Sequence, residues 1–246
     1  MKNIGYKENN LLQKSVVNLD LNKVEQELRL RGPYIKYIIR AFLPKNNNIK
    51  ILDIGCGYGA FLYYLQLLGY EYCQGVDCLS EQIKIAKQIG LKNVCVGDII
   101  DFLTNADNNS YDLILAFDVL EHFHKEEVFF ILKQLYRILS DEGKIIVHIP
   151  NAEGIFYGSV FYGDLTHKTC FTRSSFQDIL NLAGFKDIEF FEESPTIHGL
   201  KSSIRYFLWK IIRTIFGYMY MIETGENLNK VILSRNLLAV VQKKND

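Results

Sequence analysis

The run Ile51-Leu52-Asp53-Ile54-Gly55-Cys56-Gly57-Tyr58-Gly59 constrains this chain more than any other stretch. An apolar segment ends in an acid and passes straight into three closely spaced glycines, the pattern of a buried strand, a tight turn and a helix start. Glycine has no Cβ, so Gly55, Gly57 and Gly59 can take φ > 0 and let a ligand lie against bare backbone. They do so at the C-terminal end of a strand, where open α/β sheets bind ligands. The run therefore predicts a strand-to-helix turn that cradles a nucleotide-like cofactor.

Glycines alone do not name that cofactor. Gly55-Cys56-Gly57-Tyr58-Gly59-Ala60 also satisfies the dinucleotide fingerprint G-x-G-x-x-A, in which a pyrophosphate rests on the helix N-terminus, so a nicotinamide enzyme is a rival reading. Asp53 separates the two. A carboxylate two residues before the first glycine would weaken binding of a diphosphate, whereas it could accept hydrogen bonds from a cationic amino-acid group, which favours S-adenosylmethionine. Residues 72–77 (YCQGVD) form a second strand ending in an acid, Asp77, placed to accept both ribose hydroxyls, a role either cofactor requires. A third strand ends in Gly97-Asp98-Ile99, and a fourth, residues 111–118 (YDLILAFD), leads into Val119-Leu120-Glu121-His122-Phe123.

With these motifs in order, the chain resembles the class I S-adenosylmethionine-dependent methyltransferases: D-x-G-x-G-x-G at 53–59, G-V-D at 75–77, G-D-I at 97–99 and F-D-V-L-E-H at 117–122. The resemblance covers roughly residues 30–192 and the final strand. It implies a Rossmann-like, doubly wound, mostly parallel seven-stranded sheet with an antiparallel last strand. It also implies that Asp53, Gly55 and Gly57 hold the methionine end, Asp77 the ribose, and Asp98 with Ile99 the adenine. Phe117 would lie beside the transferred methyl, and Cys56, Tyr58 and Cys78 belong to the cofactor-binding loops. Two assignments have plain structural alternatives: Asp98 as the N-cap of the next helix, and Tyr58 as a core residue.

Composition fits one α/β unit with additions. The chain has 246 residues, 48% of them apolar, which suffices for a full core. Its 28 basic and 28 acidic residues cancel, and no dense Lys/Arg cluster tracks phosphates, so a nucleic-acid substrate is disfavoured. Residues 1–10 are charged and Asn-rich where a secretory segment would be apolar, and the five cysteines form no C-x-x-C pair, which together suggest a reducing, cytoplasmic setting.

Apolar periodicity predicts two helices over residues 19–42, broken at Gly32-Pro33, that cap the cofactor cleft. A helix over 125–139, a turn at Ser140-Asp141-Glu142-Gly143 and a fifth strand over 144–149 follow. The organisation expected is a helical cap (1–45), the cofactor-binding core (46–196), a helical insertion (197–233) and the last core strand (234–246). Within the cap, Glu27 to Pro33 resembles an E-x-x-x-R-G segment of related glycan methyltransferases. That places Arg31 to pair with the cofactor carboxylate, with Arg29 as the alternative.

The loop after the fifth strand, residues 162–172 (YGDLTHKTCFT), resembles that of methyltransferases found with bacterial O-antigen and capsule biosynthesis, whose loop carries G-D-x-T-H-x-x-x-F-T. Thr172 suits a helix N-cap, but capping does not account for Asp164 or His167. His167 could take the acceptor proton as the sulfonium methyl is attacked, with His122 as its competitor and Asp164 as an orienter or sugar-hydroxyl acceptor. Either histidine could instead be a hydrogen-bonded core residue. Glu121, His122, His124 and Glu126 are close in sequence, but i and i+2 do not share a helical face and no H-x-x-x-H pair is present, so no metal is expected. Residues 200–222 are helical in pattern, aromatic-rich and dotted with Lys201, Arg205, Lys210 and Arg213. They read as a cap over the substrate or a homodimer face, or as a peripheral membrane contact, being too short and too charged to span a bilayer.

The expectation is a cytoplasmic enzyme that converts S-adenosylmethionine to S-adenosylhomocysteine while O-methylating a sugar or sugar-nucleotide precursor of a surface polysaccharide. Another small polar acceptor, such as a capsule phosphate or phosphoramidate modifier, stays open. So do two rivals of other classes, the nicotinamide oxidoreductase and a catalytically silent cofactor-binding protein.

Overall fold

The structure, a computed structural model, describes residues 20–244. The reading of residues 1–10, and the first part of the expected 1–45 cap, lie outside the described residues. Seven strands form one sheet in the order β3-β2-β1-β4-β5-β7-β6: β1 (Ile51–Ile54), β2 (Cys73–Asp77), β3 (Val94–Val96), β4 (Tyr111–Phe117), β5 (Leu139–Pro150), β6 (Asp187–Glu192) and β7 (Asn236–Gln242). The first five strands run parallel. β7 pairs antiparallel with both β5 and β6, so the last strand in sequence lies inside the edge.

Period-two alternation sorts the side chains between two layers. Ile114 and Ala116 of β4 face a core shared with Ile145 and Val147 of β5. Helices α4 (Ile99–Asn105), α5 (Lys125–Ile138) and α7 (Arg173–Ala183) cover that face. Leu113 and Leu115 face the opposite core, built with α1 (Leu21–Phe42), α2 (Ala60–Leu67) and α3 (Ser80–Gln88). The short α6 (Tyr157–Phe161) and the long α8 (Leu200–Thr224) complete the chain. β1 sits where strand order reverses, with β2 on one side and β4 on the other, so the crevice beyond the C-terminal ends of β1 and β4 is the topological switch point.

Two expectations are corrected. The two helices broken at Gly32-Pro33 are one continuous helix, α1, because Val24, Leu28, Gly32, Ile35, Ile38 and Ile39 form a single buried stripe across the proline. Pro33 withholds a donor only from Arg29, an exposed residue, while the Tyr64 hydroxyl donates to the Leu28 carbonyl at 2.8 Å. Gly32 makes that contact feasible, since a Cβ there would lie 2.2 Å from the Tyr64 hydroxyl oxygen. The turn expected at 140–143 is a bulge inside one long strand. Tyr111 pairs with Leu139 and Leu113 with Lys144, so the intervening residues loop out, with Glu142 at φ 61°.

The helix ends follow local chemistry. Asp20 caps α1 by accepting from the Lys23 amide, Thr172 caps α7 by accepting from the Ser175 amide, and Gly184 closes α7 at φ 114°. α8 leaves most of its apolar side chains in solvent, among them Phe207, Leu208, Ile215 and Met219. It is tethered by Arg213, which donates to Glu192 and to the Leu228 and Val231 carbonyls. No helix among the described residues is long and apolar enough to cross a membrane.

Candidate active site

The glycine turn has the conformation that its sequence demands. Gly55, Gly57 and Gly59 take φ of 65°, 54° and 80°, and a Cβ built on Gly57 would meet nothing closer than Gln82 Oε1 at 3.9 Å, which leaves that backbone open on one side. Asp77 holds the turn from below: Oδ2 accepts from the Gly57 amide and Oδ1 from the Leu79 amide, each at 2.8 Å. Asp53 is 3% exposed, and burial together with the neighbouring Asp77 pushes its carboxyl up to about 8. Such a carboxyl suits a cationic ammonium partner, whose arrival would restore its charge. Gln82 Oε1 is buried with no hydrogen-bond partner among the described residues, an acceptor aimed at the open face of the turn. These groups fit an adenosyl amino-acid cofactor, and Gln82 is a candidate contact that the sequence did not single out.

The other expected cofactor residues divide. Tyr58 and Cys56 are buried, Cys78 is exposed, and Ile99 is buried. Asp98 caps α4, accepting from the Asp101 amide at 3.1 Å, and is itself exposed. Arg31 comes from α1 to the crevice, its guanidinium 4.0 Å from Asp118 Oδ2. Burial works against its charge, but Tyr58, Asp118 and Glu27 outweigh it and raise its pKa. Arg29 stays outside, 79% exposed and paired with Glu25.

At the ends of β4 and β5 lies a network the sequence reading missed. Asp118 adopts φ 54° directly after β4 and accepts from His148 Nδ1 at 2.5 Å. His148 Nε2 lies 3.1 Å from Glu193 Oε1, and the Tyr34 hydroxyl donates to that same oxygen. Burial alone would lower the pKa of His148, but the two carboxylates raise it well above its ordinary value. Desolvation opposes the acids' charge, more for Glu193 than for Asp118, whose side chain is 48% exposed, and the imidazolium holds both below the usual carboxylate range. Phe117 stacks on the His148 ring, with centroids 5.4 Å apart and planes 13° apart, which fixes the aromatic face presented to the crevice. One signal was available: His148 is a polar residue at the centre of the apolar strand K-I-I-V-H-I-P.

A second polar cluster stands beside it. Glu121 and His122 sit on a 3-10 turn (Leu120–His122) after β4, and the loop after β5 brings His167 against them, with the two imidazole centroids 4.9 Å apart. Backbone bonds stitch the loops together: the Lys168 and Thr169 amides both donate to the Glu121 carbonyl, and the Thr169 hydroxyl donates to the Phe123 carbonyl. Asn151, fully buried at the end of β5, donates its side-chain amide to the Ile232 and Ser234 carbonyls and anchors the base of the loop.

The expected role of Asp164 as orienter of His167 is corrected. Asp164 Oδ1 accepts from both the Thr166 amide and the Thr166 hydroxyl, and Thr166 Oγ1 lies 2.9 Å from His122 Nδ1, so Asp164 acts through Thr166 on His122. His167 is set instead by the Phe161 carbonyl, 3.1 Å from its Nδ1. Glu121 is 2% exposed, and burial with Asp118 nearby pushes it up to about 8. Burial and the neighbouring His167 lower His122, whereas the bonds from Thr166 outweigh burial and lower Asp164. His124 and Glu126, grouped with Glu121 and His122 by sequence proximity, do not join them, and His167, forty-five positions away, does.

Comparison with known proteins agrees with this architecture. The model of a methyltransferase-domain family matches residues 26–189. Among curated proteins, the chain is 29% identical to an uncharacterized protein of Methanocaldococcus jannaschii over 52% of each chain. It is 26% identical to phosphoethanolamine N-methyltransferase of Plasmodium falciparum over 58% of this chain and 56% of that one. It is also 30% identical to ubiquinone biosynthesis O-methyltransferase of Pelagibacter ubique, over 50% and 53%. The chain thus spans about half the length, or less, of the curated relatives it matches first. Among solved structures, an S-adenosylmethionine-dependent methyltransferase from Archaeoglobus fulgidus superposes with a TM-score of 0.67 at 24% identity, over 91% of this chain and all of that one. Phosphoethanolamine N-methyltransferase 2 of Haemonchus contortus, in complex with S-adenosyl-L-methionine, superposes with a TM-score of 0.61 at 15% identity, over 86% and 52%.

Proposed function

The chain belongs to this methyltransferase-domain family, and from that premise we propose that it transfers the methyl group of S-adenosylmethionine to the hydroxyl of a small polar acceptor, a sugar or sugar nucleotide in the reading we favour. The observation that carries the proposal is a juxtaposition at one sheet edge. The open Gly57 turn beside Asp53 and Asp77 adjoins, across the ends of β4 and β5, a polar cluster of the buried Glu121 with the half-buried His122 and His167.

When bound, the cofactor supplies an electrophilic methyl on a sulfonium centre. Asp53 would receive its ammonium group, Arg31 its carboxylate and Asp77 its ribose hydroxyls, while Phe117, locked on His148, forms the wall beside the methyl. The acceptor would enter from the Asp164–Thr172 loop, where His167 and His122 can hold or receive its hydroxyl hydrogen. Most of the acceleration then comes from alignment, since fixing both reactants converts a bimolecular step into an intramolecular one. The loop's G-D-L-T-H-K-T-C-F-T sequence supports a glycan acceptor of the surface-polysaccharide kind. The relatives named above act on other acceptors by their names, a phosphorylated amine among them.

Two measurements test the reading. Calorimetry should give saturable binding of S-adenosylhomocysteine and none of NAD; the reverse would restore the nicotinamide rival. Incubation with extracted nucleotide sugars should yield product heavier by one CH₂, and a protein that binds the cofactor yet turns over no acceptor would be the silent alternative.

A further inference from the structure

We propose that Glu121, His122 and His167 bind one divalent first-row transition-metal ion, which takes the acceptor oxygen beside the cofactor methyl. The donor set is two imidazole nitrogens and one carboxylate, with ligand atoms within 4.8 Å of one another. Bonds of about 2.0–2.2 Å let one ion bridge ligand atoms up to about 4 Å apart. His167 Nε2 and Glu121 Oε1, at 4.0 Å, already stand at that span, and small side-chain rotations close the rest.

Three features show a built site. First, each imidazole has its Nδ1 committed. His167 Nδ1 faces the Phe161 carbonyl, which can only accept, and His122 Nδ1 faces a Thr166 hydroxyl whose own hydrogen goes to Asp164. In the neutral tautomer that these contacts favour, each ring carries its hydrogen on Nδ1 and turns Nε2 toward the cluster, the arrangement by which outer hydrogen bonds orient metal-ligating histidines. Second, Glu121 is 2% exposed, yet its Oε2 has no hydrogen-bond partner among the described residues. A buried, unpartnered carboxylate oxygen is costly unless something cationic meets it. Third, the bonds from the Lys168 and Thr169 amides to the Glu121 carbonyl fix the two ligand-bearing loops to each other at the backbone.

Imidazole donors suit zinc, iron, nickel or copper better than magnesium or calcium, and three protein ligands leave coordination positions open. The acceptor hydroxyl would take one of these. With both Nε2 atoms on the ion, His167 and His122 position the acceptor rather than take its proton, which is released to solvent because the ion favours the alkoxide. The oxygen then forms a bond to the methyl carbon as the carbon–sulfur bond breaks, leaving a neutral thioether. This role rests on the methyl-transfer reading; the binding of the ion does not.

The test is made on the full chain, stripped with a chelator and shown by circular dichroism to remain folded. Titration with Co²⁺, followed by visible absorption, should saturate at one ion per chain, with Zn²⁺ displacing it. His167→Ala and Glu121→Gln should lose stoichiometric Co²⁺ uptake. Thr166→Val, nearly isosteric and outside the ligand set, should weaken it by about 10–100-fold, as loss of an outer hydrogen bond to a ligand does. Calorimetry with S-adenosylhomocysteine on the same samples should give wild-type affinity throughout. If the folded wild type takes up no stoichiometric Co²⁺ while binding S-adenosylhomocysteine, or if the Glu121 and His167 variants bind Co²⁺ like wild type, the metal site is wrong and the methyltransferase reading stands. If Co²⁺ binds as described and S-adenosylhomocysteine does not, the metal site stands and the methyltransferase reading falls.

Discussion

Gly57 and Asp77 show how single residues divide the work of the glycine turn. Gly57→Val would put a branched side chain on the open face at φ 54°, where L-residues are strained, and should abolish S-adenosylhomocysteine binding in calorimetry. Asp77→Ala should weaken binding by roughly 1.5–3 kcal/mol, the range for a charged hydrogen-bond partner. It should also raise mobility at Gly57 and Leu79, whose amides lose their acceptor. Unchanged affinity in either variant would remove these residues from the site. His148 yields a pH signature. Its pKa is raised above the unfolded value of about 6.5, so the stability it contributes is complete below that pH and lost as pH rises through the folded value. Asp118 and Glu193 are lowered, so their contribution holds above about pH 4 and is lost as pH falls through their folded values. The urea midpoint should therefore decline on the alkaline side, and Asp118→Asn should move that decline to lower pH by removing one of the two carboxylates. An alkaline limb that stays put in the variant would show that Asp118 does not hold the imidazolium.

Among the elements, α1 and α8 make opposite uses of their apolar residues. α1 buries a continuous stripe and relies on Gly32 to admit Tyr64, so Gly32→Ala should destabilise the protein by about 1–3 kcal/mol in denaturant titration despite alanine's better helix propensity. A stabilised Gly32→Ala would mean that the Tyr64 ring moves aside freely. α8 has Phe207 65% and Leu208 51% exposed, so replacing either with Ser should shift stability by no more than about 0.5 kcal/mol. Arg213→Met, which cuts the tether to Glu192, Leu228 and Val231, should cost clearly more.

For the whole molecule, the decisive element is β7. It pairs with both β6 and β5, so β6 is joined to the rest of the sheet through β7. A chain ending at residue 235 would expose the apolar inner faces of Leu237, Ala239 and Val241 partners and leave β6 unpaired. It should show no cooperative unfolding transition by circular dichroism; a sharp transition would mean that the first five strands fold alone.

The sequence by itself determined the strands around the glycine turn, the strand-end acids Asp53 and Asp77 and the cap at Thr172, while the place of the last strand followed from the family resemblance. These features are carried by short-range rules, period-two alternation, turn chemistry and capping, or by motifs whose order is read along the chain. Residues 187–192 were less legible, because β6 is a half-buried edge strand whose apolar alternation is weak. Tertiary structure alone decided the rest. Apolar packing carried α1 through a proline that local propensity would break. The chain drew Tyr34, Asp118, His148 and Glu193, from four separate segments, into one network, and it brought His167 to Glu121 and His122 while leaving nearby His124 outside. Proximity along the chain fixes what shares a turn or a helical face; which strand ends meet, and hence which buried charges must find each other, follows only from the sheet order and the crossovers that produce it.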